Sequence, residues 1–206
     1  MKILIIQPKL EKQVDQLEAE LVNNPAVDIV IFPEGYLNEN VEKACDLAKK
    51  FNTVLIGGYR RLKENPKDRF LIINRMGEVV FDRVKYGNTT LHTIEGLKTG
   101  HILCDELIVH NIKSEDFYDA DLIIHPIGVG MFSEAQFEEW ITEATKIATQ
   151  SNTMIIGTSH ADGSFGDTGI SIPIAYCIDK DGLVVFISAN DVRTRLLNFE
   201  TREVYF

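Results

Sequence analysis

Five short apolar runs, each stopped by proline or glycine, constrain this chain most. They read KILIIQP at 2–8, DIVIFP at 28–33, TVLIGG at 53–58, DLIIHP at 121–126 and TMIIG at 153–157. Apolar runs of this length, rich in β-branched residues, read as buried strands. Stretches of helical period lie between them. Residues 10–23 place Leu10, Val14, Leu17 and Leu21 on one helix face. Residues 40–51 read as a second helix, with Asn40 as its cap, Glu42 in the first turn and Lys49 and Lys50 in the last. A third, 133–151, opens at Ser133 and aligns Phe137, Ile141, Ala144 and Ala148. Strand–helix–strand units of this kind predict an α/β protein, with a mixed sheet or two sheets covered by helices.

The remaining segments read less regularly. Residues 70–75 and 78–84 form a hairpin about Met76-Gly77, and 171–178 and 183–188 a second about Asp181-Gly182. Residues 86–98 read as irregular, 107–112 as a short strand, 121–125 as a strand stopped by Pro126, and 191–206 as a mixed, charged tail. No internal repeat, low-complexity tract or linker stands out, so the 206 residues are expected to form a single domain, 1–206.

Composition narrows the classes of function. Hydrophobic residues make up 45% and charged residues 25%, a globular balance. The net charge of -10 argues against a nucleic-acid backbone or an anionic membrane as partner. Three widely spaced cysteines, Cys45, Cys104 and Cys177, argue for a reducing compartment rather than a disulfide framework. The apolar run at 3–6 is too short for a signal peptide, and no run is long enough to span a membrane. A cytoplasmic protein is expected.

One stretch carries chemistry. TGHILCDE at 99–106 runs apolar into Cys104 and turns acidic at once, at Asp105 and Glu106. A strand that ends this way presents its sulfur at a sheet edge, where ligands bind in open α/β folds. A thiol becomes a nucleophile when a base and a cation lie near it. Glu34, at the exit of DIVIFPEG, could supply the base, and Lys85, at the end of GEVVFDRVK, the cation. Taken singly, the three also read as a core cysteine, a solvated carboxylate and an edge lysine. Cys45 and Cys177 read as core residues. The five histidines lack metal-ligand spacing, so no metal or other cofactor is expected.

Taken together, these stretches resemble the nitrilase, or carbon–nitrogen hydrolase, superfamily. The match rests on Phe32-Pro33-Glu34, on Gly77 followed by Lys85, and on Gly100, Cys104 and Glu106. Ala120, Asp121 and Pro126, then Gly169 and Ser171, extend it over nearly the whole chain. The resemblance implies an αββα sandwich of two mixed sheets and a Glu-Lys-Cys triad. In that triad Glu34 is the general base, Cys104 the nucleophile and Lys85 the oxyanion stabiliser, with the Asp105 backbone N–H as second oxyanion donor. It further implies amidase-type hydrolysis of a small non-peptide C–N bond through a thioester, and a homodimer. Phe132, in the loop from Pro126, and His160, after TMIIGT, would border the pocket.

The chain departs from the family pattern in three places. Asp105 replaces an aromatic residue, no Phe-Pro-Glu follows the cysteine, and only 18 residues separate Lys85 from Cys104. That segment carries a second glutamate in the family, a place that the resemblance would give to Glu95 in this chain. The departures support an alternative, a catalytically degenerate member that keeps the fold as a binding or interaction protein. An unrelated nucleotide-binding domain is poorly supported, since no GxGxxG or GxxxxGK[ST] follows a strand.

Overall fold

Ile3 and Ile5 leave their strand on one side, Leu4 and Ile6 on the other, and all four are buried. A strand covered on both faces needs a layer above and below it. The computed structural model, which describes residues 1–109, 112–166 and 169–206, supplies both. The first sheet contains β1 (Lys2–Ile5), β2 (Ile29–Ile31), β3 (Val54–Arg60), β4 (Asp68–Ile73) and β5 (Val79–Val84). The second contains β6 (His92–Ile94), β7 (Leu97–His101), β8 (Leu122–Ile127), β9 (Met154–Ser159), β10 (Ile174–Ile178) and β11 (Val184–Ala189). From the tail, β12 (Arg195–Asn198) and β13 (Val204–Tyr205) join the first sheet, giving the order β13-β12-β1-β2-β3-β4-β5. The second sheet runs β11-β10-β9-β8-β7-β6, and both mix parallel and antiparallel pairs.

The sheets pack face to face. Ile3, Ile5, Ile31 and Ile56 of one meet Leu122, Ile124, Met154 and Ile156 of the other, with Cys177 among them. Helices α1 (Asp15–Asn23) and α2 (Val41–Phe51) cover the outer face of the first sheet. Leu17 and Leu21 of α1 are fully buried there, which contributes about 1.5–3 kcal/mol for each side chain. Helix α4 (Glu134–Ser151) covers the second sheet through Trp140, Ala144, Ile147 and Ala148. The result is the expected αββα sandwich.

The two halves repeat, although no repeat was expected. DIVIFPEG at 28–35 and DLIIHPIG at 121–128 hold equivalent places in the two sheets, each followed by a helix, a parallel strand and an antiparallel hairpin. Helices α2 and α4 both end at a left-handed asparagine, Asn52 and Asn152, followed by threonine.

Other expectations need correction. Helix α1 starts at Asp15, because residues before it are tied down by side chains: Asn38 donates to the Glu11 carbonyl at 2.8 Å and Asn40 to that of Lys12 at 2.9 Å. Asn40 therefore makes no side-chain cap for α2, whereas Ser133 accepts from the Gln136 N–H and caps α4. Within 86–98 a hairpin forms, β6 and β7 joined by Glu95-Gly96, both at positive φ. Pro126 does not stop β8, which runs on to Ile127. Residues 106–109 form a short helix, α3 (Glu106–Val109), in place of the strand expected from 107; His110 and Asn111 lie outside the described residues. Cys177 lies in the core, as the chain pattern suggested, with its thiol pushed up to about 12 by burial.

Candidate active site

Glu34 is placed by a close approach of backbone to backbone. After Pro33 the chain crosses β3 at Gly58, where a Cβ would sit 2.5 Å from the Glu34 Cα. The Gly58 N–H donates to the Pro33 carbonyl at 3.2 Å, and His160 Nε2–H donates to the Glu34 carbonyl at 3.2 Å. Lys85 follows β5, its N–H held by the Asp68 carbonyl at 3.0 Å. Cys104 follows β7 and donates its N–H to the Pro126 carbonyl at 2.8 Å. It adopts φ +51°, a left-handed conformation that is strained for a residue other than glycine. Strain of this kind persists only where the surroundings over-determine it.

Glu106 supplies much of that determination. It is fully buried, accepts the Leu103 N–H at 2.7 Å and binds the Arg83 guanidinium in a fork at 2.7 and 2.8 Å. It also accepts the Tyr86 N–H. Arg83 and Tyr86 flank Lys85, and Leu103 precedes Cys104. One carboxylate thus locks the lysine segment to the cysteine segment.

Glu34, Lys85 and Cys104 meet in a cavity of about 400 Å³. Lys85 Nζ lies 2.8 Å from Glu34 Oε1 and 2.7 Å from Asp105 Oδ1. Both contacts are ion pairs by distance and neither oxygen receives an aligned hydrogen bond. The Asp105 Oδ2 accepts from the Tyr86 hydroxyl at 2.8 Å. Trp140, Met131, Phe132 and Phe165 give the cavity apolar walls, and Arg60, paired with Asp68 at 3.0 Å, lies at its side. Gly128 has no room for a side chain, since a Cβ would fall 2.5 Å from Glu34 Oε2.

The charges are set by burial and by one another. Burial raises the Glu34 carboxyl to about 7, against the pull of Lys85. Burial and the Glu34 charge push the Cys104 thiol up, opposed by Lys85 and by a hydrogen bond from the Gly128 backbone. Burial works against the Lys85 ammonium, but the charges of Cys104, Glu34 and Asp105 outweigh it and raise its pKa. At rest the cysteine is therefore a thiol, its proton held by burial and by the Glu34 charge.

Asp105 and Phe132 line the cavity, Phe132 half-exposed at its rim. His160 does not: it is buried behind Glu34, and burial lowers it to about 4. Glu95 is not brought to the site either. It sits in the β6–β7 turn and pairs with Arg75 at 2.8 Å, while Asp105 takes the place beside Lys85. Arg83, Gly128 and Trp140 were not foreseen. A signal existed for Arg83, which alternates with Lys85 along its segment as residues on one strand face do. Among the described residues no group of three His, Cys, Asp or Glu side chains is arranged to hold a metal.

Comparison with known proteins places this architecture. A carbon–nitrogen hydrolase from Helicobacter pylori G27 superposes with a TM-score of 0.79 at 13% identity, covering 98% of this chain and 90% of that one. The fold is that of the nitrilase superfamily. Nit3 of Saccharomyces cerevisiae, assigned to branch 10 of that superfamily, is similar to this nitrilase fold at a TM-score of 0.78 and 14% identity, over 95% and 88% of the two chains. The NitN amidase from Nesterenkonia sp. AN1 gives 0.74 and 11%, over 96% and 92%. A Glu→Gln mutant of that amidase carries an acetamide moiety on its active-site cysteine. No family model and no curated protein matches the sequence. No helix among the described residues is long and apolar enough to cross a membrane.

Proposed function

We propose that this nitrilase-fold protein is a cysteine-dependent hydrolase of small non-peptide C–N bonds, with amides as substrates. The observation that carries the reading is the convergence of Glu34, Lys85 and Cys104 in one cavity of about 400 Å³. The volume suits a small molecule and leaves no room for a folded partner.

In this reading Glu34 takes the Cys104 proton as the sulfur attacks the amide carbonyl carbon. A base near 7 is matched to that task at neutral pH. Negative charge develops on the carbonyl oxygen, where the Lys85 ammonium and the Asp105 backbone N–H stabilise it. Glu34 then passes its proton to the nitrogen, the C–N bond breaks, and ammonia or an amine leaves a thioester on Cys104. Glu34 next takes a proton from water, and the resulting hydroxide attacks the thioester carbon. Collapse of that intermediate frees the acid, and the sulfur recovers a proton from Glu34.

The test is ammonia release from a panel of small aliphatic and aromatic amides, with hydroxylamine added to capture the acyl group as a hydroxamate. Turnover lost in Cys104→Ala and Glu34→Gln, with an acyl mass on Cys104, is the expected result. No ammonia and no adduct from any amide would sink the reading. A second reading, a degenerate member acting as a binding module, draws support from the Asp105 carboxylate beside Lys85 and from the raised thiol. It requires amides that raise the melting temperature without being consumed.

A further inference from the structure

His125 is fully buried on β8, among the apolar residues beneath α4, and its ring stacks on Trp140 with centroids 5.6 Å apart. A histidine in such a place needs partners for both nitrogens. Nε2 lies 2.8 Å from the Cys104 carbonyl oxygen, and Nδ1 contacts the Tyr176 hydroxyl. A carbonyl only accepts, so Nε2 carries the proton and Nδ1 accepts from Tyr176 O–H. The ring is thereby held in one tautomer, and burial lowers it to about 4, which keeps it neutral.

The Cys104 carbonyl belongs to the peptide whose N–H is that of Asp105. In a trans peptide C=O and N–H point in opposite directions. His125 grips the carbonyl from the buried side, and the Leu107 N–H adds a second bond at 3.3 Å. The N–H must then face the other way, toward the cavity that Asp105 lines. Apart from its own carboxylate, that N–H meets no protein acceptor among the described residues. The Tyr176–His125–carbonyl chain also polarises the peptide, which strengthens its N–H as a donor.

We propose that His125, held by Tyr176, is a positioning residue that aims the Asp105 backbone N–H at the oxyanion formed on attack by Cys104. This rests on the amidase-type reading of the same cavity. It predicts that His125 affects chemistry that makes an oxyanion and spares chemistry that does not.

Two small probes separate these. Iodoacetamide alkylates Cys104 by displacement of iodide at carbon, with no oxyanion. Propionaldehyde adds to the thiol as a hemithioacetal whose oxygen occupies the oxyanion position, and it can be followed by protection of Cys104 from iodoacetamide. In His125→Leu we expect propionaldehyde protection to weaken about tenfold or more, in line with losses on disabling one oxyanion donor. The alkylation rate and its pH profile should stay within about twofold, since the thiol and Glu34 are untouched. His125→Gln, whose amide N–H reaches the Nε2 position, should recover most of the protection. Tyr176→Phe leaves Nδ1 without its donor, frees the tautomer and should weaken protection in the same sense, so the test survives a failure of His125→Leu to fold. Unchanged protection in both variants, or an equal loss of protection and alkylation, overturns the proposal alone. A wild-type Cys104 that neither alkylates nor is protected overturns the amidase reading, and this proposal with it.

Discussion

Asp105 Oδ1 lies 2.7 Å from Lys85 Nζ, so the residue next to the nucleophile holds the cation that serves it. The same carboxylate raises the Cys104 thiol. It supports one catalytic group and opposes another.

Asp105→Asn separates the two effects. Removing the charge eases ionisation of Cys104, so alkylation by iodoacetamide at pH 7 should quicken about three- to tenfold. Amide turnover should fall instead, because Lys85 loses an anchor and is drawn further to Glu34. Rates that rise or fall together would contradict this division.

The pH dependence of Cys104 should report Glu34. Its carboxyl is raised to about 7, so alkylation should climb through pH 7 in the wild type and lose that step in Glu34→Gln. The linkage has a definite sign. The folded protein holds this proton more tightly than the unfolded chain, whose glutamate titrates near 4.5. Wild-type stability therefore declines as pH rises from about 4.5 to 7, by on the order of 1–3 kcal/mol from this group. Urea melts at pH 5 and pH 8 should show Glu34→Gln gaining on the wild type at the higher pH.

Acid should act through the buried histidines. His125 and His160 are each lowered to about 4 by burial, so the unfolded chain takes up their protons first. Stability is lost as pH falls below about 6.5, by about 2 kcal/mol for each group at pH 5. His160→Gln should flatten that decline in urea melts between pH 7 and 5, and an unchanged slope would contradict it.

Gly128→Ala should disable the site without unfolding the protein. Its Cβ would lie 2.5 Å from Glu34 Oε2, displacing the base from the sulfur. We expect turnover to drop about 100-fold, as for misplacement by about an ångström, with the melting temperature close to wild type. Full activity would show that the carboxylate tolerates the shift.

Glu106→Ala should weaken the fold as well as the site. It strands the buried Arg83 charge and removes the acceptor for Leu103 and Tyr86, at a cost of about 3–5 kcal/mol read from urea melts.

Local order was legible along the chain. The apolar runs, their proline and glycine stops and the period of 133–151 depend on neighbours in sequence, and they marked strands and helices in the right order. Lys85 directly follows β5, as its segment suggested, whereas β7 ends at His101 and Cys104 lies in the turn three residues beyond it, not at the strand's end. The hairpin at β6–β7 was missed because its signal is only Glu95-Gly96, and a non-glycine residue at positive φ is hard to foresee. The strand expected from residue 107 became a short helix that begins at Glu106, whose carboxylate holds Arg83 and two backbone N–H groups.

By itself the sequence determined most of the elements and the three residues most suited to nucleophilic chemistry, because pattern and residue type act over short range. Its pattern left one mixed sheet or two open, and the αββα layering was implied by the family resemblance. Only the tertiary structure decided which polar groups share a space. It set Asp105 rather than Glu95 against Lys85, put His160 behind Glu34 rather than in the cavity, and laid His125 under the Cys104 carbonyl. Those pairings join residues from different strands and both sheets. Burial and charge, which fix the Glu34 proton and the state of the thiol, exist only once the sheets have closed on each other.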